Sequence, residues 1–203
     1  MDYLSDLITR YPVLSVCKDD ISAAYDALTV CFKACKRLYV FGNGGSAADA
    51  LHIVGELAKS FVLNRPLDPE FAAIVCEDLV SNLQGALPAY AIVENTALTT
   101  AFINDCNPEY AFAQQVYAYA RKGDCVLGIS TSGNSKNVVN GMRAARGREA
   151  RTIGLVGGTG GKMKTVCDHL ITVPEFETYK IQELHLPVYH TLCLMLEMDF
   201  WGK

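Results

Sequence analysis

Two patterns of apolar spacing alternate along this chain. Short, almost uninterrupted apolar runs stand at 38–41, 89–93, 125–129, 152–156 and 169–173. Such runs suit strands buried on both faces. Between them apolar residues recur at helical spacing: Leu4, Leu7 and Ile8, then, after Pro12, Ile21, Ala24, Tyr25, Leu28, Phe32 and Cys35, and later Leu98, Phe102, Phe112, Val116 and Tyr119. The spacing predicts two helices before the first strand and others at 94–105, 108–122, 136–148 and 178–200. Strands alternating with helices predict an α/β three-layer sandwich around a five-stranded parallel sheet. Residues 1–36 form a helical arm, whose spare apolar face suits either this sheet or a second subunit. Segment 62–88 has prolines at 66, 69 and 88 and no sustained period, so it reads as an insertion with helical turns inside 71–86. With no internal repeat and no linker, 1–203 reads as a single domain.

Composition narrows the function classes. A chain of 203 residues with 50% hydrophobic residues can bury a full core. A formal net charge of -4 lacks the basic surplus of a nucleic-acid-binding protein. Eight cysteines lie scattered inside apolar patterns without metal-finger spacing, and nothing at the start reads as a signal peptide. They read as reduced core residues of a soluble, cytoplasmic protein, with Cys31 and Cys35 packed on one helix face. No apolar run approaches the ~20 residues needed to span a bilayer.

Candidate chemistry gathers at three places. In 38–57 a strand enters a turn with Gly42, Gly44 and Gly45, whose missing Cβ atoms allow positive φ and close approach of a ligand. Ser46 is the expected N-cap of the next helix, whose N-terminus suits an anion. On that helix His52 and Glu56 are four residues apart and share a face, where they can bind a metal, move protons or simply form a solvated pair. The second place is Ser130-Thr131-Ser132-Gly133-Asn134-Ser135, where four hydroxyls in a strand-to-helix turn can bind phosphate without a fixed positive charge. The third is the last helix, with Gln182, Glu183, His185 and His190. Eight residues separate Gln182 from His190, about 80° around the axis, so both can face one site.

Nucleotide-binding readings fail. Gly42, Gly44 and Ala47 meet the loose form of the dinucleotide fingerprint, but Glu94, the candidate ribose ligand, is far beyond the expected ~20 residues. A P-loop at 157–162 lacks Gly at Val156 and a hydroxyl at Met163. No nucleotide cofactor is expected.

GNGGSAADALH at 42–52, ISTSGNS at 129–135, GGKM at 160–163 and IQELHLPVYH at 181–190 resemble the sugar isomerase (SIS) domain family, and within it the phosphoheptose isomerases. The resemblance implies a flavodoxin-like fold, a homotetramer and interconversion of sedoheptulose 7-phosphate with glycero-manno-heptose 7-phosphate through an enediol. It implies that Ser130, Thr131, Ser132 and Ser135 hold the sugar phosphate. Asn43, Gly44, Gly45, Asn104, Asp105 and Gln182 would contact substrate. Glu56 and His190 would be the acid and base, and His52, Glu56, Gln182 and His190 the zinc ligands of metal-containing members. Related SIS proteins leave two alternatives, isomerisation of another ketose phosphate and non-catalytic binding of the replication initiator protein. Two departures stand out: the long 63–88 segment, and Thr178-Tyr179-Lys180 where some relatives have an aspartate.

Overall fold

The computed structural model describes residues 2–202. Its strands are β1 (Leu38–Gly42), β2 (Ala89–Ala91), β3 (Cys125–Ser130), β4 (Arg151–Gly157) and β5 (His169–Val173). They form one parallel sheet in the order β2-β1-β3-β4-β5. The helices are α1 (Tyr3–Arg10), α2 (Lys18–Lys33), α3 (Gly45–Ala58), α4 (Pro69–Ile74), α5 (Glu77–Asn82), α6 (Thr96–Asp105), α7 (Ala111–Tyr119), α8 (Lys136–Gly147) and α9 (Thr178–Trp201).

Successive strand residues point to opposite faces, and this divides the core in two. Leu38 and Val40 of β1 join Leu127, Ile129, Ile153 and Leu155 beneath α1, α2, α3 and α9. Tyr39 and Phe41 join Val126 and Val156 beneath α7 and α8. The expected three-layer α/β sandwich is therefore present.

Local chemistry moves several expected boundaries. The second strand ends at Ala91, because Ile92–Glu94 turns into a 3-10 helix. Asn95 starts α6 two residues late by accepting a hydrogen bond from the Leu98 N–H. The cap of α3 is Gly44, at φ 55, rather than Ser46, which is the second helical residue and is buried. The arm turns its apolar face to the chain's own sheet, with Leu4, Leu7, Leu14, Cys17, Ile21 and Ala24 buried there. The cysteines divide: Cys17, Cys31, Cys125 and Cys193 are buried, Cys167 is intermediate, and Cys35, Cys76 and Cys106 are exposed. Cys35 departs from the expected helix face because α2 ends at Lys33 and Cys35 takes φ 54.

The insertion carries the two short helices α4 and α5, neither with a buried residue. Its base is closed by an ion pair with both side chains at 0% exposure, Arg65 Nε to Glu197 Oε1 at 2.6 Å. The N–H groups of Phe61, Val62 and Leu63 also donate to the Glu197 carboxylate. Arg65 donates to the Glu56 and Leu57 carbonyls at the end of α3 and stacks over Trp201 at 4.7 Å. Burial works against the Glu197 charge, but these donors outweigh it and hold its pKa below the usual value. Removing one member of a buried pair strands the other charge, at a cost of about 3–5 kcal/mol. Glu197→Ala should therefore lower the unfolding free energy by about that amount in a denaturant titration; a loss below ~1 kcal/mol would show that the pair does not hold this corner.

Candidate active site

The sheet order reverses between β2 and β3, so β1 and β3 flank the switch point, where open α/β sheets bind ligands. Their pairing runs from Leu38 with Cys125 to Gly42 with Ile129, so the glycine turn and the hydroxyl loop leave the sheet side by side. Gly42 must lack a side chain: an added Cβ would stand 2.7 Å from Ser46 Cβ and 2.9 Å from the Ile129 carbonyl oxygen. Gly44 alone of the three turn glycines needs positive φ; at Gly45 an added Cβ would meet Gln182 Nε2 at 2.5 Å.

Together these loops line a cavity of about 280 Å³ with Asn43, Gly44, Gly45, Ser130, Thr131, Ser135, Thr178 and Gln182. An adjoining cleft adds Ser132. Neither contains a lysine or arginine. What faces the cavity is the N-terminal end of α3, α8 and α9, each a positive dipole end, although at α3 the Ser46, Ala47 and Ala48 N–H groups already donate to the Asn43 and Gly44 carbonyls. Ser130 Oγ donates to Ser135 Oγ at 3.1 Å, and the Ser132 hydroxyl accepts from the Asn134 N–H. Asn43 exchanges two amide hydrogen bonds with Asn137, at 2.9 and 2.8 Å, which holds the glycine turn against the start of α8.

A second cluster forms farther along α3 and α9. His52 Nε2 is 3.2 Å from Glu56 Oε1 and 3.4 Å from His190 Nε2. Behind the His52 ring, Nδ1 is 3.0 Å from the Tyr189 hydroxyl, which donates to Asp49 Oδ1 at 3.4 Å. Burial, with a smaller repulsion from His52, lowers the His190 pKa below the ordinary 6.5. At neutral pH its imidazole is uncharged, suited to relaying protons.

The structure thus gathers Asn43, Gly44, Gly45, Ser130, Thr131, Ser135 and Gln182 at one cavity, with Ser132 beside it, and His52, Glu56 and His190 at another point. Gln182 lies over Gly45, eight residues from His190 and so about 12 Å along the helix axis. It is not in contact with the His52 cluster. Asn104 and Asp105 bond to each other on the exposed end of α6 and touch no other member of the set. Sequence reasoning missed Asn137, Thr178, Asp49 and Tyr189 as members of the site. Only Asn137, at the first turn after the hydroxyl loop, carried a local signal.

As arranged, no group of three or more His, Cys, Asp or Glu side chains among the described residues has the geometry of a metal site. In type the donors suit zinc, as mixed imidazole and carboxylate ligands. The 3.2 and 3.4 Å separations match the edge of a zinc tetrahedron, about 3.4 Å for bonds near 2.1 Å. His52, Glu56 and His190 therefore suit such an ion in donor chemistry, without forming an assembled site as they lie, and Gln182 does not join them.

His185, one turn before the cluster, points away from it. It is fully buried, and neither ring nitrogen has a hydrogen-bond partner beyond a weak approach of the Val156 main chain. Burial pushes its pKa from 6.5 down to about 4. Between those values the unfolded chain holds a proton that the folded chain does not, so stability is full above 6.5 and falls as pH drops toward 4. The loss should reach about 3 kcal/mol, at 1.36 kcal/mol per pKa unit. In His185→Gln this part of the slope should disappear from unfolding curves taken between pH 7 and 4; an unchanged slope would mean that His185 titrates normally.

A doubly wound sheet with a hydroxyl-lined cavity free of lysine and arginine at its switch point, and a histidine–carboxylate cluster beyond it, has the chemistry suited to a phosphorylated sugar. Family comparisons agree. SIS-domain models match residues 3–85 and 95–197. Phosphoheptose isomerases are similar over most of the chain. The one from Nitratiruptor is 40% identical over 179 residues, 87% of this chain and 86% of that protein. The one from Trichlorobacter lovleyi is 41% identical over 171 residues, 84% of this chain and 78% of that protein. The solved phosphoheptose isomerase from Neisseria gonorrhoeae superposes with a TM-score of 0.77 at 30% identity, covering 95% of this chain and 94% of its own. This chain belongs to the SIS domain family, among its phosphoheptose isomerases.

Proposed function

We propose that the chain interconverts sedoheptulose 7-phosphate and glycero-manno-heptose 7-phosphate. The observation that carries this reading is the division of the site. Both α3 and α9 run from the anion cavity, at Gly45 and Gln182, to the His52–Glu56–His190 cluster. The intervals of seven and eight residues are about 10 and 12 Å. A substrate served by both must carry its phosphate many bonds from its reacting carbons, as a heptose 7-phosphate does.

In this reading Ser130, Thr131, Ser132 and Ser135, with the helix N-termini, hold the phosphate, while Asn43, Gly44, Gly45 and Gln182 line the sugar. Asn104 and Asp105 reach it once assembly brings them close. Glu56 removes the proton on the carbon next to the carbonyl, giving an enediol, and returns it to the neighbouring carbon. His190 moves the hydroxyl proton between the two oxygens, so one hydrogen passes between the carbons and one between the oxygens, and no redox partner is needed. His52, Glu56 and His190, with Gln182 as the fourth member of the proposed set, would hold a zinc ion. When bound, zinc supplies a Lewis acid that polarises the sugar carbonyl.

Purified protein should convert sedoheptulose 7-phosphate to the aldose in a discontinuous assay, and zinc added after chelation should raise the rate. Glu56→Gln should lower kcat by about 10²–10⁴-fold. No turnover with or without zinc would remove the function, and full activity in Glu56→Gln would remove the assigned base.

The working unit in this reading is a cytoplasmic homotetramer. Exposed apolar side chains at Leu51 on α3, Leu186 on α9 and Ile74 on the insertion support an assembled state. Among the described residues, no helix is long and apolar enough to cross a membrane. Sedimentation equilibrium should give four times the 22.1 kDa chain mass; a monomer at micromolar concentration would refute the assembly.

A further inference from the structure

Behind the cluster lies a hydrogen-bonded chain that the isomerase reading leaves without a task. Asp49 sits one turn before His52 on α3, and Tyr189 immediately precedes His190 on α9. The Tyr189 side chain is almost fully buried, at 2% exposure, and its hydroxyl lies between Asp49 Oδ1 at 3.4 Å and His52 Nδ1 at 3.0 Å.

A phenol has one proton to give. Asp49 Oδ2 is buried without a partner, and the Tyr189 hydroxyl is the only donor to the Asp49 carboxylate among the described residues. Giving the proton to His52 instead would leave the carboxylate with no protein donor, and an unsatisfied enclosed acceptor costs about 1–3 kcal/mol, more when charged. The proton therefore belongs on the Asp49 side. Only lone pairs of the phenolic oxygen then face the imidazole, so Nδ1 carries a hydrogen, and in the neutral ring, which has only one, Nε2 is bare.

We infer that Asp49 and Tyr189 are positioning residues that lock His52 in its Nδ1–H tautomer and turn the Nε2 lone pair toward Glu56 and His190. A bare Nε2 and a carboxylate 3.2 Å apart, with His190 Nε2 at 3.4 Å, form a pocket of acceptors that calls for a proton or a cation among them. The relay sets that demand from one helix turn away. In functional terms this rests on the isomerase reading, but the tautomer is a property of the folded chain alone.

Two measurements separate the claims. In the ¹⁵N spectrum of histidine-labelled protein, the His52 ring, identified by its loss in His52→Asn, should show a protonated Nδ1 and an unprotonated Nε2. Tyr189→Phe keeps the packed ring but breaks the chain, and should shift this signal toward a tautomer mixture. It should also lower kcat about tenfold or more, the usual effect of losing a partner behind a metal-ligating histidine, with KM changed less than about twofold. Asp49→Asn keeps a carbonyl acceptor and should retain more kcat than Asp49→Leu, whereas a merely packed Asp49 would tolerate both alike. A protonated Nε2 in the unsubstituted protein overturns the inference, as does a Tyr189→Phe variant with unchanged tautomer and kcat. Should Tyr189→Phe fail to fold, the spectrum of the unsubstituted protein still decides. Failure to turn over sedoheptulose 7-phosphate would remove the isomerase reading, while the spectrum would still test the relay.

Discussion

The pairing of β1 with β3 is the constraint on which the rest of the site depends. These strands are far apart in sequence, separated by the insertion, β2, α6 and α7, yet they lie side by side in register from Leu38 and Cys125 to Gly42 and Ile129. Because the sheet order turns back at this point, both connections leave the same edge and open a crevice between them. The fit is tight enough that Gly42 admits no Cβ between Ser46 and the Ile129 carbonyl. Shifting this pairing by one residue would exchange the faces of Leu38, Val40 and their neighbours as well as misaligning the two loops.

The second organising contact is between α3 and α9. The two helices leave the anion cavity together and meet again at His52 and His190. Beyond that point the buried Arg65–Glu197 pair ties the end of α3 to α9, since Arg65 caps the Glu56 and Leu57 carbonyls while Glu197 gathers three N–H groups of the following loop. A 19-residue excursion, 66–84, can then leave and return through the Gly85 N–H bonded to the Arg65 carbonyl without disturbing the helix that bears Glu56. Charge is used sparingly: the switch-point cavity is lined by helix ends and hydroxyls rather than by lysine or arginine. The strongest buried ion pair serves architecture.

Much of this was legible in the sequence. All five strands were placed to within two residues, because uninterrupted apolar runs have few other uses. Helical spacing located the arm and the long helices, and the paired i, i+4 positions of His52 and Glu56 followed from helix geometry. The hydroxyl loop announced itself because four hydroxyls exceed what one helix cap requires. Errors arose where local propensity met a specific contact. Ser46 has good cap chemistry, but Gly44 reaches the left-handed conformation more cheaply, and Ser46 is needed as a small buried residue against Gly42. Cys35 keeps the helical interval from Cys31 but lies beyond the end of α2.

The sequence by itself determined the alternation of elements, the location of both ligand loops and the identity of the titratable groups, since each depends on a local period or a local composition. Tertiary structure decided which groups meet. Asn137 reaches Asn43, Tyr189 stands between Asp49 and His52, and Arg65 finds Glu197, in each case across elements distant in the chain. It also parted residues grouped by resemblance, leaving Gln182 on the anion cavity and Asn104 with Asp105 on an exposed helix end. Such pairings depend on strand order and helix packing, and no period along a single chain records them. The glycine turn at 42–45 shows both halves: its residues announce close approach, but only β3, α8 and α9 show what approaches.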